Sequence, residues 1–242
     1  MILLVDIGNS RTKYLIATEI SNQKYQVVNN NELDLQWLKC HWLKVKKIIL
    51  ASVSQSSHTD VIFDWAEKNG VSLIVVGSEA KRFGVTSAYQ QPKKLGIDRW
   101  LAILGAAKLF KNKNILIVDA GTATTVDLLS AKQQHLGGWI LPGIDIMFNS
   151  LLKNTSKINA EQFNVPALNF GTNTSENVNN ACWAATVGAI ELAVSQAILE
   201  LKSIDLILLT GGNAQYLQPM IRHETVIEDN LIFHGLQRYN QN

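Results

Sequence analysis

Short apolar runs that end in turn residues recur along the chain and predict buried β-strands. The first run covers residues 2–7 and ends at Gly8-Asn9-Ser10, after which a second strand over residues 11–18 is predicted to return antiparallel. Short apolar runs bounded by turn residues are typical of strands in the core of a sheet. The same pattern predicts strands at residues 24–28, 47–52, 71–76, 115–118, 125–129, 138–141 and 206–209.

Segments with helical spacing separate these strands. Apolar residues spaced for one face of a helix predict helices over residues 61–68, 99–110 and 176–202, and a further helix is predicted to begin near Asn213. Asp98 stands where the N-cap of the helix over 99–110 is expected. Strands mixed with helices throughout the chain predict an α/β fold.

The opening pattern of the chain is repeated in its second half. Residues 2–17 and 115–130 are identical at seven of sixteen aligned positions, including Asp6 with Asp119 and Gly8 with Gly121. The spacing between the two copies along the chain is longer than the repeat length of a solenoid protein. It predicts two similar domains, residues 1–112 and 113–242.

Each copy of the repeat ends its strand with Asp-x-Gly. Glycine permits a close approach of the backbone, so that successive N–H groups can point at a phosphate, and Arg11 and Lys13 add positive charge near the first copy. Asp6 and Asp119 suit a metal ion that bridges phosphates. One such turn alone would more simply be a hairpin. The matched pair favours a nucleotide-phosphate site and phosphoryl transfer.

Two further segments could carry chemistry. In Gly96-Ile97-Asp98-Arg99 the carboxylate could act as a general base at a helix N-terminus, and the guanidinium could bind a substrate carboxylate; the alternative is a helix cap followed by a surface arginine. Thr210-Gly-Gly-Asn213 could let the backbone approach a ring or ribose, or could simply be a loop.

The composition of the chain and the absence of several motifs argue against some classes of function. The formal net charge of +2 is too mild to indicate a nucleic-acid partner, and no P-loop motif is present. The opening apolar run lacks a basic leader, and no uninterrupted apolar run approaches the ~20 residues of a membrane span. The cysteines, Cys40 and Cys182, lie far apart in sequence and suit a reducing compartment. We therefore expect a cytoplasmic protein without nucleic-acid or membrane partners.

The motifs taken together resemble those of the type III pantothenate kinases, in the order that family has them and over nearly the whole chain. The segments that carry the resemblance are Asp6-Ile-Gly-Asn-Ser10, Tyr89 with Gly96-Ile-Asp-Arg99, Asp119-Ala-Gly-Thr-Ala-Thr124, Gly138-Trp-Ile-Leu-Pro-Gly143 and Thr210-Gly-Gly-Asn213. Ser10 stands where many members have threonine, which keeps the hydroxyl. The family belongs to the superfamily of actin, acetate and sugar kinases and chaperone ATPases.

The resemblance implies two ribonuclease-H-like (actin-like ATPase) domains with mixed sheets flanked by helices. It implies ATP-dependent phosphorylation of pantothenate to 4'-phosphopantothenate, the first step of coenzyme A biosynthesis. ATP with Mg²⁺, a monovalent cation (K⁺ or NH₄⁺) and a homodimer are implied as well. We expect the small residues of the helix over 176–202 to form part of the dimer contact.

The resemblance also implies roles for single residues. Asp98 would be the catalytic base and Asp119 the ligand of the monovalent cation. ATP would be bound by Asp6, Ile7, Gly8, Asn9, Ser10, Arg11, Thr12, Lys13 and Thr122. Pantothenate would be bound by Tyr89, Gly96, Ile97, Asp98, Arg99 and Thr174.

Two alternatives remain open at this point. The chain could be a catalytically silent regulatory relative, such as a transcriptional accessory factor, or a small-molecule kinase of the same superfamily with another substrate. The presence of Asp6, Asp98, Arg99 and Asp119 argues against the first alternative, and Tyr89 with the Gly-x-Asp-Arg segment argues against the second.

Overall fold

The chain divides into two units, each built on a five-stranded mixed sheet. This computed structural model describes residues 1–52, 57–163 and 165–241. The first unit comprises Met1–Lys111 together with Asp229–Asn242, and the second comprises Asn112–Glu228.

The sheet of the first unit has the strand order β3-β2-β1-β4-β5. β1 pairs antiparallel with β2 and parallel with β4, so the sheet is mixed. Both central strands, β1 and β4, are almost fully buried, as their uninterrupted apolar sequences predict. The strands are β1 (Ile2–Ile7), β2 (Arg11–Ile16), β3 (Gln26–Asn29), β4 (Lys47–Ser52) and β5 (Ser72–Val76), and a short hairpin follows with β6 (Lys81–Arg82) and β7 (Val85–Thr86).

Helices complete the first unit: α1 (Leu35–His41), α2 (Ser57–Lys68) and α3 (Ile97–Leu109). Trp42, which follows α1, and Trp65 of α2 join one core cluster with the inward-facing residues of β1 and β4. Asp34 caps α1 by accepting a hydrogen bond from the Trp37 amide at 2.7 Å. Trp42, which is 1% exposed, therefore anchors the end of α1 in the core.

The sheet of the second unit repeats the order of the first, as β10-β9-β8-β11-β12. Its elements are β8 (Ile115–Ala120), β9 (Ala123–Leu129), β10 (His135–Pro142), α4 (Ile144–Asn154), α5 (Thr174–Leu201), β11 (Leu206–Thr210), α6 (Ala214–Leu217) and β12 (Thr225–Ile227). β8 pairs antiparallel with β9 and parallel with β11, as β1 does with β2 and β4. The internal repeat of the sequence is thus a repeat of sheet topology.

The last helix of the chain, α7 (Leu231–Gln237), belongs to the first unit. It crosses α3 at two glycines: a Cβ on Gly105 would lie 2.2 Å from the Leu231 carbonyl oxygen, and a Cβ on Gly235 would lie 2.2 Å from the Leu101 carbonyl oxygen. The predicted domain of residues 113–242 differs here from the structure, because this close helix contact holds residues 229–242 against the first unit.

Helix α5 is the long helix that the sequence predicted, with its start two residues earlier. Asn173 caps it by accepting a hydrogen bond from the Glu176 amide, and Lys202 ends it in the left-handed conformation. Among the helices that the structure describes, α5 alone has the length and apolar composition of a membrane span, a test that core helices also pass. Val187, Ile190 and Val194 lie in the core cluster of the second unit, so we assign α5 as a core helix.

The α/β prediction with mixed sheets flanked by helices is confirmed. Each strand predicted from an apolar run is present, with ends that differ by up to three residues. The sequence did not predict α1, α4, α7, β12 or the β6–β7 hairpin.

Candidate active site

The first Asp-x-Gly turn joins β1 to β2. The Gly8 amide donates a hydrogen bond to the Arg11 carbonyl at 3.0 Å, and a Cβ on Gly8 would lie 3.2 Å from that same oxygen. A side chain would crowd the turn here, which accounts for the glycine. Asp6 is 6% exposed and faces Lys13 across the strand pair. The register thus places Asp6 and Lys13 opposite each other in the strand pair, at the base of the turn.

Asn30 lies behind this turn and binds it with its carboxamide. Its Nδ2 donates to the Gly8 carbonyl at 2.9 Å and to the Asn9 carbonyl at 3.2 Å, and its Oδ1 accepts a hydrogen bond from the Thr12 hydroxyl at 2.8 Å. The sequence analysis missed Asn30, because it is far from the turn along the chain and belongs to no motif.

The predicted phosphate-binding residues divide into two groups by exposure. Asn9, Ser10 and Arg11 are exposed, whereas Ile7 and Thr12 are buried at 1% and 0%. The Thr12 hydroxyl is engaged with Asn30 and points into the unit. The exposed face of the turn is therefore formed by residues 9–11.

Lys13 is held over an aromatic ring. Its Nζ lies 5.0 Å from the centre of the Tyr25 ring, within the range of a cation–π interaction. Tyr25 in turn packs against Phe233 of α7, with ring centres 5.6 Å apart. The C-terminal segment therefore packs against the ring over which the Lys13 ammonium lies.

Asp98 occupies the first turn of α3 but does not cap it. The prediction of an Asp98 N-cap is wrong, since Gly96 is the N-cap and α3 begins at Ile97. Asp98 Oδ1 accepts a hydrogen bond from the Arg99 amide at 2.8 Å, and a Cβ on Gly96 would lie 2.6 Å from that oxygen. A glycine cap thus leaves room for the carboxylate at the positive end of the helix.

Arg99 and Tyr89 form one group with Asp98. Arg99 is only 5% exposed, and its Nη1 donates a hydrogen bond to the Tyr89 phenol oxygen at 2.9 Å. The alternative of a surface arginine is therefore wrong. A buried guanidinium fixed by a hydrogen bond is pre-organised for bidentate binding of a carboxylate.

The second Asp-x-Gly turn, between β8 and β9, is shorter than the first. Gly121 and Thr122 alone separate the two strands, and the Gly121 amide donates to the Ala123 carbonyl at 3.0 Å. Asp119 is half-buried and is aligned with Thr125 of β9 and Thr210 of β11. The two copies of the repeat therefore present different loops on the same topology.

Three predicted motifs of the second unit converge on this turn. Gly211 has φ +89°, and a Cβ there would lie 2.5 Å from Asp119 Oδ1. The Asn213 amide donates to the Ala120 carbonyl at 3.0 Å, and the Gly143 amide donates to the Thr122 carbonyl at 3.1 Å. The Asp119, Pro142-Gly143 and Gly211-Gly212 segments thus form one cluster around a carboxylate and several backbone oxygens.

Thr174 is the exposed first residue of α5, one position after the N-cap. The turn before it is built by Glu176, whose Oε2 accepts hydrogen bonds from the Thr172 amide at 2.7 Å and the Thr172 hydroxyl at 3.0 Å. These hydrogen bonds lower the pKa of Glu176. Thr174 belongs to the second unit, whereas the other predicted pantothenate residues belong to the first.

Within the described ranges, no group of three or more His, Cys, Asp and Glu side chains could hold a metal ion. A cation at Asp119 would instead be held by one carboxylate and neutral oxygens, the hard ligands that alkali and alkaline-earth ions accept. The oxygens clustered near Gly143 and Asp119 fit such an ion.

The sequence model of the type III pantothenate kinase family matches residues 2–196. The chain belongs to this family. A type III pantothenate kinase of Colwellia psychrerythraea is 47% identical over 251 aligned residues, which cover 99% of this chain and 100% of the relative.

Two solved structures are similar to this chain over nearly its whole length. A Campylobacter jejuni protein described as a putative Baf family transcriptional activator is 26% identical, with a TM-score of 0.62 and 99% of each chain covered. A putative 2-dehydro-3-deoxygalactonokinase of Sinorhizobium meliloti is 14% identical, with a TM-score of 0.57 and coverage of 100% of this chain and 98% of that one. The second likeness concerns the fold alone and is consistent with the two-domain fold of actin-like ATPases and sugar kinases.

Proposed function

We propose that the chain transfers the terminal phosphoryl group of ATP to a hydroxyl group of pantothenate. The product is 4'-phosphopantothenate, and the reaction is the first step of coenzyme A biosynthesis. The observation that carries the proposal is the Asp98–Arg99–Tyr89 group at the start of α3, found in a chain of the type III pantothenate kinase family.

Asp98 is proposed to accept the proton of the attacking hydroxyl. Its Oδ1 is oriented by the hydrogen bond from the Arg99 amide in the first turn of α3. A general base positioned within hydrogen-bond reach of a hydroxyl increases its nucleophilicity as the oxygen approaches phosphorus. Catalysis then rests on positioning rather than on a covalent intermediate.

Arg99 is proposed to bind the carboxylate of pantothenate, and Tyr89 to hold the guanidinium in place. Because Arg99 is buried, its charge is desolvated and attracts a carboxylate more strongly than a surface arginine does. Gly96 and Ile97 are proposed to complete this site at the start of α3. Thr174, the exposed first residue of α5, is proposed separately as a pantothenate-binding residue.

The turn after Asp6 is proposed to hold the ATP phosphates. Its exposed residues 9–11 present backbone amides together with the Arg11 side chain, and Lys13 adds a second positive charge. Asp6 would hold Mg²⁺, which neutralises charge on the phosphate oxygens when bound. Gly8 keeps the turn open to the phosphates, and Ile7 and Thr12 act from the interior.

Asp119 and Thr122 are proposed to bind a monovalent cation and ATP, respectively. The half-buried carboxylate and the carbonyl oxygens around Gly143 supply oxygen ligands for K⁺ or NH₄⁺. When bound, such a cation would offset negative charge on the nucleotide.

A homodimer is proposed to form through α5. Its exposed side carries small residues and larger apolar ones at helical spacing, among them Ala181, Ala184, Gly188, Leu192 and Leu199. Small residues permit close approach of a second helix. Light scattering after size-exclusion chromatography tests the dimer.

We also propose that the enzyme is cytoplasmic and has no nucleic-acid or membrane partners.

The deciding experiment measures ADP release with pantothenate and a panel of other hydroxy acids, with and without K⁺. Turnover with pantothenate that depends on K⁺ is the expected result. Turnover with another acid alone would leave the kinase fold and overturn the substrate. No ADP release with any acid would favour a regulatory relative.

A further inference from the structure

The Asn30 carboxamide closes the inner side of the turn after Asp6. Its donor nitrogen binds the carbonyl oxygens of Gly8 and Asn9, and its backbone amide binds the Ser10 carbonyl at 3.0 Å. Asn30 therefore holds three successive carbonyl groups of one short turn.

Holding the carbonyls also fixes the amides. In a planar trans peptide the C=O of one residue and the N–H of the next point in opposite directions, and the described residues contain no cis peptide. The carbonyls of Gly8, Asn9 and Ser10 point towards Asn30, so the amides that follow them are directed away from it. Those amides belong to residues 9–11, the exposed residues of the turn.

The hydrogen bond between Thr12 and Asn30 is buried, and those from Asn30 to the Gly8 and Asn9 carbonyls are partly buried, which makes all three costly to break. Asn30 is 6% exposed and Thr12 is 0% exposed, and the Thr12 hydroxyl fixes the orientation of the carboxamide by donating to Oδ1. Removing one partner would leave buried polar groups without their hydrogen bonds. Asn30 and Thr12 thus define one orientation of the turn.

We propose that Asn30 is a positioning residue for ATP, which aligns the amides of residues 9–11 towards the phosphates and is itself oriented by Thr12. The inference rests on the proposed function for its nucleotide. It assigns Thr12 an indirect role, through Asn30, in place of a direct contact with ATP.

The test compares Asn30→Asp, Thr12→Val and Thr12→Ser with the wild type. Asn30→Asp keeps the shape of the side chain and the acceptor for Thr12 but replaces the donor that binds the two carbonyls. The expected result is a rise of about 10–100-fold in KM for ATP, with KM for pantothenate within about twofold, since two partly buried hydrogen bonds to the turn are lost. Thr12→Val is expected to raise KM for ATP about 10-fold, and Thr12→Ser, which keeps the hydroxyl, is expected to restore it.

Asn29→Ala is the matched control. Asn29 is exposed, and its carboxamide binds the Glu32 side chain instead of the turn. Kinetic constants close to those of the wild type are expected for this variant. Unchanged KM for ATP in both Asn30→Asp and Thr12→Val would overturn the proposal, as would equal losses for both substrates or for the Asn29 variant.

Titration of each variant with ATP and Mg²⁺ without pantothenate separates this inference from the proposed function. A wild type that binds ATP but does not phosphorylate pantothenate overturns the substrate assignment, while weaker ATP binding by Asn30→Asp still supports the role of Asn30. A wild type that does not bind ATP overturns both.

Discussion

The buried guanidinium of Arg99 lies 5.7 Å from the centre of the Tyr89 ring and donates a hydrogen bond to the phenol oxygen of the same residue. Ten positions of sequence separate the two residues. The segment between them ends at the Gly96 cap, so that the start of α3 and the Tyr89 side chain are fixed together. The proposed recognition of a carboxylate by Arg99 can therefore be tested separately from the proposed proton transfer to Asp98.

Arg99→Met tests carboxylate recognition. We expect kcat/KM for pantothenate to fall by about 100-fold or more, since a charge-assisted bidentate interaction is lost. An analogue with an alcohol in place of the carboxylate should react at nearly the same rate with both enzymes. The measurement is steady-state kinetics with both substrates, and a similar loss for both would contradict a role in binding the carboxylate.

Tyr89→Phe should produce a smaller effect in the same direction. It removes the acceptor of the Arg99 hydrogen bond and keeps the ring. We expect KM for pantothenate to rise by about 3–10-fold with kcat and KM for ATP nearly unchanged, which corresponds to one hydrogen bond. A loss confined to kcat would point instead to a role in the chemical step.

Asp98→Asn tests the general base. The amide oxygen of asparagine can still accept the hydrogen bond from the Arg99 amide, so the fold at the start of α3 should be kept. We expect kcat to fall by about 10²–10⁴-fold, the usual contribution of a general base, with smaller changes in either KM.

Asp60→Asn provides the control for Asp98. Asp60 is an exposed carboxylate in the first turn of another helix, α2, and shares the favourable interaction with a helix dipole. Its kcat should match that of the wild type. A near-normal kcat for Asp98→Asn would remove Asp98 from the role of base.

Gly211→Ala and Gly212→Ala form a matched pair that tests the cluster around Asp119. A Cβ on Gly211 would lie 2.5 Å from Asp119 Oδ1, and φ at this position is +89°, whereas no atom lies within 4 Å of a Cβ on Gly212. We expect Gly211→Ala to lower the free energy of unfolding by ~1–3 kcal/mol and to weaken activation by K⁺. Gly212→Ala should change the free energy of unfolding by less than ~1 kcal/mol. Denaturant unfolding measures both, and equal stability of the two variants would contradict the close approach.

The sequence predicted the fold most accurately where a single local pattern was strong. β1, β4 and β8 are each built on four or more consecutive apolar residues, a pattern typical of buried strands, and the Asp-x-Gly repeat predicted the shared topology of β1 and β8. Helix α7 was missed because Gly235 lowers its helix propensity, and that glycine is needed for the contact with α3. Its position against the first unit depends on packing between distant segments, which no local pattern records.

The residues of the candidate site show the same contrast between local motifs, which the sequence reveals, and contacts between distant segments, which it does not. Asp6, Asp98, Arg99 and Asp119 stand in recognisable local motifs, and the structure places Asp98 and Arg99 with Tyr89 as one group. Asn30 has no motif, since its role depends on a contact across β2 and β3. Thr12 was predicted to bind ATP from its place in the motif, and a strand pattern does not reveal that its hydroxyl donates to Asn30.

Tyr239 lies near the end of the chain, and its buried phenol is expected to make the fold less stable as the pH becomes alkaline. It is 7% exposed, and its phenol donates a hydrogen bond to Glu79 Oε1 at 2.9 Å. Burial is the main cause that raises the pKa of Tyr239 well above its usual value. Trp100 opposes this rise, Glu79 adds to it through its hydrogen bond and its charge, and the charge of Arg82 opposes it. The folded chain therefore holds the phenol proton more tightly than the unfolded chain does.

The stability that Tyr239 contributes should be fully present below pH ~10, where the unfolded side chain is also protonated. This contribution should be lost as the pH rises above that value, because the unfolded state then releases a proton that the folded state retains. The free energy of unfolding should therefore fall by up to about 1.4 kcal/mol per pH unit. Tyr239→Phe should show a shallower decline of unfolding free energy between pH ~10 and ~11 than the wild type. Tyr216→Phe, at a position 38% exposed, is the control and should decline as steeply as the wild type. Identical slopes for Tyr239→Phe and the wild type would show that the Tyr239 proton is not held by the fold.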